Sequence, residues 1–256
     1  MRINNRIRKS EMKLKKTFSI TDIVVLLACL AFLLACLGPV GSGGRKRAKE
    51  AMCSLNLNQW GKIITAFVGD NNGYYMDRYE NNDWPEELAG YYNDERILLC
   101  PEATVRWRDG AIPPFAAWHD DGFIGSYGIS LWIADDDRPE FWRTPNVSNA
   151  NLIPIFGDCL WTNGEPTHND DAPANPSSPF EIFEAGNGSN EMKRFCIDRH
   201  NGGVNLLFAD NSVRKVGLKE LWELEWQRDW NPDNLPPGPY PDWPEWMANF
   251  KEYYQP

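Results

Sequence analysis

Histidine is scarce in this chain: His119, His168 and His200 are the only three. No HExxH pair, GxSxG elbow or glycine-rich phosphate loop occurs, so the zinc-peptidase, α/β-hydrolase and P-loop chemistries have no signature. The six cysteines form no CxxC pair, which excludes finger-type zinc spacing. No segment repeats at a period of about 20–50 residues, which excludes a solenoid. With so few candidate bases, a nucleophile–base pair has little raw material. The chain is expected not to be an enzyme.

Positive charge is missing where nucleic acid would need it. The first fifty residues hold eleven Lys or Arg against Glu11, Asp22 and Glu50, whereas the remainder holds fifteen basic against thirty-three acidic side chains. Phosphate-backbone binding needs basic residues clustered on the folded domain, so no nucleic acid partner is expected. Apolar residues are plentiful at 42%, enough for a core, and 12 Trp, 9 Tyr and 12 Phe supply large anchors.

Residues 1–17 form a basic leader, followed by an apolar segment over 18–40. About 20 residues at 1.5 Å each cross a ~30 Å hydrocarbon core, so the segment reads as a transmembrane anchor helix. The basic residues ahead of it point to an inner-membrane, single-pass protein with a cytoplasmic N-terminus and a periplasmic body. A cleaved signal and a lipoprotein signal are alternatives, since "LLAC" ends at both Cys29 and Cys36. Asp22 lies inside the apolar segment, where an ionised group is costly and is kept for a reason.

The stretch "KKTFSITDIVVLLACLAFLLACLGPV" resembles a type IV prepilin signal, with Phe18, Asp22 and Pro39 at the family's offsets. Thr17 stands where the family has glycine, and Asp22 where it has glutamate. The resemblance implies processing between Thr17 and Phe18, methylation at Phe18, and an Asp22 that neutralises the amine of a neighbouring subunit. It also implies the membrane, sister subunits and a secretion or pilus assembly machinery as partners.

Residues 45–69 read as an amphipathic helix continuing a spine, with Ala48, Met52, Leu55, Ile63, Ala66 and Phe67 on one face and Trp60 and Ile64 extending it. This segment is similar to the pilin-like pattern CxxNLxQxGxAxxxYxxDNxGxxP, through Cys53, Asn56, Leu57, Gln59, Asp70, Asn71, Gly73 and Tyr74. The body over 70–229 is expected to be loop-rich, with short strands in "RILLCPEA", "GSYGISLWIA" and "NLIPIFGDCLW". A hairpin is expected over 204–216 and a helix over 218–228 carrying Leu218, Leu221, Trp222 and Trp226 on one face. The tail over 230–256 is expected to strap the body through Trp243, Trp246 and Phe250, or to present an extended segment to a partner.

"RHNGGVNLLFADNSVRKV" resembles the H-X9-DG segment of planctomycete-type pilin-like proteins, with Asn211 in place of the glycine. His200 and Asp210 are expected at opposite ends of one strand, roughly 20–33 Å apart at ~3.3 Å per residue, and so not as a catalytic dyad. In this reading His200 bonds a loop backbone and Asp210 caps a turn.

No cofactor is expected unless it is calcium: Asp120, Asp121, Asp170 and Asp171 place oxygen-rich clusters in loops that either hold that ion or are plainly solvated turns on an acidic surface. Cys53, Cys100, Cys159 and Cys196 are either free buried thiols or two bridges, with Cys53–Cys100 and Cys159–Cys196 the favoured pairing of three. The expected fold is α+β: a long N-terminal membrane and spine helix followed by a small antiparallel β-sheet body with long loops. The expected function is that of a pseudopilin-like structural subunit. An anchored periplasmic glycan- or ligand-binding module is the alternative.

Overall fold

The computed structural model describes residues 19–37, 41–77, 84–179, 181, 190–230 and 243–251. The chain divides into two compact units, Met1–Arg45 and Lys46–Pro256. The basic leader, Thr17, Phe18 and most of the proline-rich tail lie outside the described residues.

In the first unit, helix α1 spans Ile20–Leu37. Ser19 caps it: its Oγ accepts the Thr21 N–H at 3.4 Å, and Asp22 accepts the Ser19 N–H at 3.0 Å. This reciprocal exchange satisfies two N–H groups that the first turn leaves open. Asp22 therefore has a local structural role. The helix's eighteen residues rise about 27 Å, short of a ~30 Å hydrocarbon core. Helix α2 (Ser42–Asp70) is longer but carries Arg45, Lys46, Arg47, Lys49 and Glu50 in its first half. Among the described residues no helix is long and apolar enough to cross a membrane. This overturns the transmembrane anchor over 18–40, and with it the single-pass inner-membrane placement with a periplasmic body.

The second unit corrects the fold class. Its eight strands among the described residues form a body of mixed sheets, with few helices. The larger sheet has the order β6-β4-β5-β7-β8, from Asn163–Gly164, Tyr127–Ser130, Pro154–Asp158, Gly203–Phe208 and Val213–Gly217. The smaller has the order β1-β2-β3, from Val105–Arg106, Ala116–Asp120 and Phe123–Gly125. Pairs β4–β6 and β1–β2 are parallel. The β1–β2 connection runs over 107–115, and β5 lies between β4 and β6 in the chain.

Helix α2 lies on this sheet. Cys53, Leu57, Trp60, Gly61, Ile64, Phe67 and Val68 are its buried residues, spaced by threes and fours as a helical stripe demands. The stripe is rotated from the expected face, for Met52 and Leu55 are about half exposed. Gly61 explains the rotation: a Cβ there would lie 3.1 Å from a methyl of Leu207 on β7, so the small residue lets helix and sheet close up. Left-handed Asn72 and Gly73 end the helix, and the Gly73 N–H returns to the Val68 carbonyl at 2.8 Å.

Strand β7 is buried along its whole length, so both its faces are covered. Leu207 joins Leu57, Trp60 and Phe156 in the core beneath α2, whereas Val204, Leu206 and Phe208 join Trp222 and Trp226 in a second core on the opposite face. The period of two along the strand thus sorts its side chains into two layers. Met247 and Trp243 of the tail close that second core, Trp243 meeting Trp222 edge-on at 5.1 Å between ring centres.

Two local expectations change, and the hairpin gains a turn type. "RILLCPEA" contains a 3-10 turn over Glu95–Leu98, capped by Asp94, in place of a strand. The segment over 218–228 is a 3-10 helix over only Leu218–Glu223, ended where Leu224 turns extended. The β7–β8 hairpin turns through a single left-handed residue, Asn211, with the Asn211 N–H bonded to the Phe208 carbonyl and the Phe208 N–H to the Ser212 carbonyl. That is a type I turn with a left-handed closing residue, the usual solution for a slightly longer loop.

Candidate functional site

Four potential ligands meet under α2: Cys53, Cys100, Asp158 and His200. Their donor atoms all lie within 4.8 Å of one another. Each arrives from a different part of the chain. Cys53 sits on the buried stripe of α2. Cys100 follows the 3-10 turn, which α2 grips through Asn56 Nδ2 to the Leu99 carbonyl (3.1 Å) and Trp60 Nε1 to the Ile97 carbonyl (2.9 Å). Asp158 ends β5. His200 leads into β7 from a turn held by left-handed Asn201 and Gly202, with its N–H bonded to the Gly203 carbonyl at 3.0 Å.

The distances are short. His200 Nε2 lies 3.1 Å from Asp158 Oδ2 and 3.4 Å from Cys100 Sγ. Cys53 Sγ lies 3.5 Å from Asp158 Oδ2. The Asn205 N–H donates to Asp158 Oδ2 at 2.8 Å, and Arg199 Nη1 to Asp158 Oδ1 at 3.0 Å. Cys53, Cys100 and Asp158 have no exposed surface, and Arg199 and His200 almost none. A cleft of about 90 Å³, bordered by Lys46, Glu50, Glu102 and Asn201, reaches Arg199 and His200 from outside.

Charge organises the cluster. Burial alone would raise the Asp158 carboxyl, but the charge and hydrogen bond of His200, the Arg199 charge and the Asn205 N–H hold it well below the usual carboxylate range. Burial would depress His200, yet the Asp158 charge and hydrogen bond outweigh it and lift the imidazole to about 10. Burial would raise Cys100, but hydrogen bonds with Cys53 and His200 and the Arg199 charge bring it to about 7. Burial, the neighbouring Cys100 and Asp158 push Cys53 well up. The Tyr127 hydroxyl is near enough to interact with Cys53 but finds no hydrogen bond of ordinary geometry among the described residues.

A thiolate beside an imidazolium has the electronic character of a nucleophile. Here the sulfur is sealed away from solvent, so the arrangement suits binding an ion or joining the two sulfurs. It does not suit attack on a substrate.

The other sequence candidates scatter. Asp210 is exposed in the hairpin turn, where its Oδ1 accepts the Ser212 N–H at 2.9 Å. His200 and Asp210 do sit beyond opposite ends of β7 and do not form a pair. Asp120 ends β2, and left-handed Asp121 is the first residue of the β2–β3 turn. Asp170 is buried, accepting the Thr167 hydroxyl at 2.6 Å and the Met192 N–H at 2.8 Å, while the Asp171 N–H donates to Asn190. These four aspartates do not assemble into a ligand group among the described residues. All four body cysteines are free thiols, so neither expected bridge is formed. Cys53 and Cys100 are neighbours all the same, whereas Cys159 accepts the Trp161 N–H and Cys196 faces Met247 Sδ at 4.0 Å.

Sequence reasoning missed Asp158 and Arg199. A signal was present: "NLIPIFGDCLW" places one acid inside an apolar strand, where an unpaired charge is untenable. Comparison with family models, curated proteins and solved structures gives no match.

Proposed function

We propose that this chain is a pilin-like structural subunit that assembles with further copies of itself through α1. The observation that carries this reading is the exposure of that helix. Ile20, Val25 and Phe32 are 80%, 61% and 70% exposed, and Val24, Leu26 and Leu27 all exceed half. An apolar surface of this extent marks an interaction site. The partner that suits a helix apolar on every side is another such helix, and a sister copy supplies it. The resemblance of the leader, the later part of α2 with the turn that follows it, and the hairpin segment to pilin-like sequences supports the same reading. So does a body in which a helix packs on a sheet and the Cys53–Cys100–Asp158–His200 cluster is buried. The role is mechanical, without turnover.

Asp22 provides the test, because its two roles separate. Asp22→Ala removes both the capping bond and the charge, whereas Asp22→Asn keeps an acceptor for the Ser19 N–H and removes only the charge. If Asp22 neutralises a neighbour's amine, both variants abolish assembly of the full chain while the near-ultraviolet dichroism of the body is unchanged. Assembly is read by sedimentation velocity and by bismaleimide cross-linking at Cys29, which is exposed on α1. A full chain that stays monomeric at high concentration defeats the proposal, and normal assembly of Asp22→Asn removes Asp22 from it.

A further inference from the structure

The buried cluster has the makings of a metal centre, whichever way the chain assembles. A tetrahedral zinc-type ion binds thiolate sulfur at about 2.3 Å and imidazole nitrogen or carboxylate oxygen at about 2.0–2.2 Å. Simple trigonometry then sets the sulfur–nitrogen and sulfur–oxygen edges at about 3.6 Å and the nitrogen–oxygen edge at about 3.4 Å. The corresponding separations are 3.4 Å for Cys100 Sγ to His200 Nε2, 3.5 Å for Cys53 Sγ to Asp158 Oδ2, and 3.1 Å for His200 Nε2 to Asp158 Oδ2. Three of the six edges thus lie within about 0.3 Å of those of a closed tetrahedral site, and all four donors stand within 4.8 Å of one another.

We propose that Cys53, Cys100, Asp158 and His200 bind one thiophilic divalent cation of the zinc class as a closed structural centre that staples α2 to the sheet. The donor set of two sulfurs, one imidazole and one carboxylate suits such an ion, and calcium, which takes six to eight oxygens, is excluded from it. Coordination replaces the thiol protons and the Nε2 proton by the metal.

Charge and surroundings fit as well. Two thiolates and a carboxylate leave a divalent ion one negative charge in excess, and the Arg199 guanidinium bonded to Asp158 offsets it. Arg199 and the Asn205 N–H fix the carboxylate from behind, as outer-shell groups fix metal ligands. A Cys53 thiolate gives the Tyr127 hydroxyl the acceptor it otherwise lacks. Full burial of the sulfurs and carboxylate leaves no open coordination position, which marks a structural centre and not a catalytic one. The cleft beside Arg199 and His200 is the entry path.

The same two sulfurs are candidates for a disulfide, so the experiment must separate the outcomes. Full chain purified under reductant is analysed for bound metal by mass spectrometry, then stripped with a chelator and titrated with cobalt(II) chloride. The proposal expects about one zinc per chain and a sulfur-to-cobalt charge-transfer band that saturates at about one equivalent. Cys53→Ser and Cys100→Ser should lose the band, and Cys196→Ser should keep it. Tyr127→Phe should weaken zinc binding by about tenfold, the lower end of an outer-shell effect.

A folded chain that gives no thiolate–cobalt band overturns the proposal. So does a chain lighter by two hydrogens whose Cys53 and Cys100 peptides are joined, and so does metal binding indifferent to Cys53→Ser. Should the serine variants not fold, the titration of the unaltered chain decides alone.

Discussion

Asp158 sets the conditions for every residue around it. It is fully buried and charged, and Arg199, His200 and the Asn205 N–H converge on it. A buried ion pair adds little over a well-packed apolar pair, because desolvation consumes the Coulombic gain. Removing one partner is another matter, since the rest then hold uncompensated buried charge. Asp158→Asn keeps the shape and the acceptor for Asn205 but leaves Arg199 facing His200. The expected loss is about 3–5 kcal/mol of stability in chelator-treated protein, measured by urea denaturation. A loss below about 1 kcal/mol would mean that His200 is neutral in the fold and that the cluster's charge has been misjudged.

At the scale of elements, strand β5 has to pass close beside β7 to deliver Asp158. Gly157 permits this: a Cβ there would sit 2.3 Å from a Leu206 methyl and 2.7 Å from the Asn205 carbonyl oxygen. The methyl could rotate away, but the carbonyl belongs to the sheet backbone and cannot. Gly157→Ala should therefore cost about 1–3 kcal/mol as overpacking, and should spread the β5–β7 amides in a hydrogen-exchange map. An alanine variant with unchanged exchange along β7 would show that the strands tolerate the added group.

The elements also show what the sequence made readable. The β7–β8 hairpin was legible because its turn is local: Gly202–Gly203 and Asp210–Asn211 bracket one apolar run, and β7 and β8 extend one residue beyond 204–216 at each end. Helix α2 was legible in existence, but its buried face was not. That face depends on Gly61 meeting Leu207, residues far apart in the chain. The metal-type cluster was less legible still, since Cys53, Cys100, Asp158 and His200 share no local spacing and are brought together only by the sheet. His200 was read as a backbone-bonded loop residue because Asp158, its actual partner, lies on another strand. Among the described residues eight indole N–H groups donate to backbone carbonyls, including Trp84 to Thr162, Trp118 to Tyr127 and Trp222 to Asp170, so these rings act as internal struts.

For the molecule as a whole, the two units divide the labour. Lys46–Pro256 contains both cores, both sheets and the buried cluster, and all its large buried side chains find partners within it. Met1–Arg45 contains the exposed apolar helix. A body that satisfies itself should not need α1 to fold, and an apolar helix left exposed should drive whatever association occurs. A chain starting at Gly41, which retains all of α2, is therefore expected to unfold in one transition at the temperature of the full chain's body and to remain monomeric. The full chain at equal concentration should associate. Scanning calorimetry and sedimentation velocity on the two chains check both halves together. Equal association by the shortened chain would move the interface to the body, with exposed Met52 and Leu55 of α2 its first candidates. A shortened chain that fails to fold would instead make α1 part of the body's own stability, because the apolar side chains of α1 would then be needed inside the molecule and not between copies.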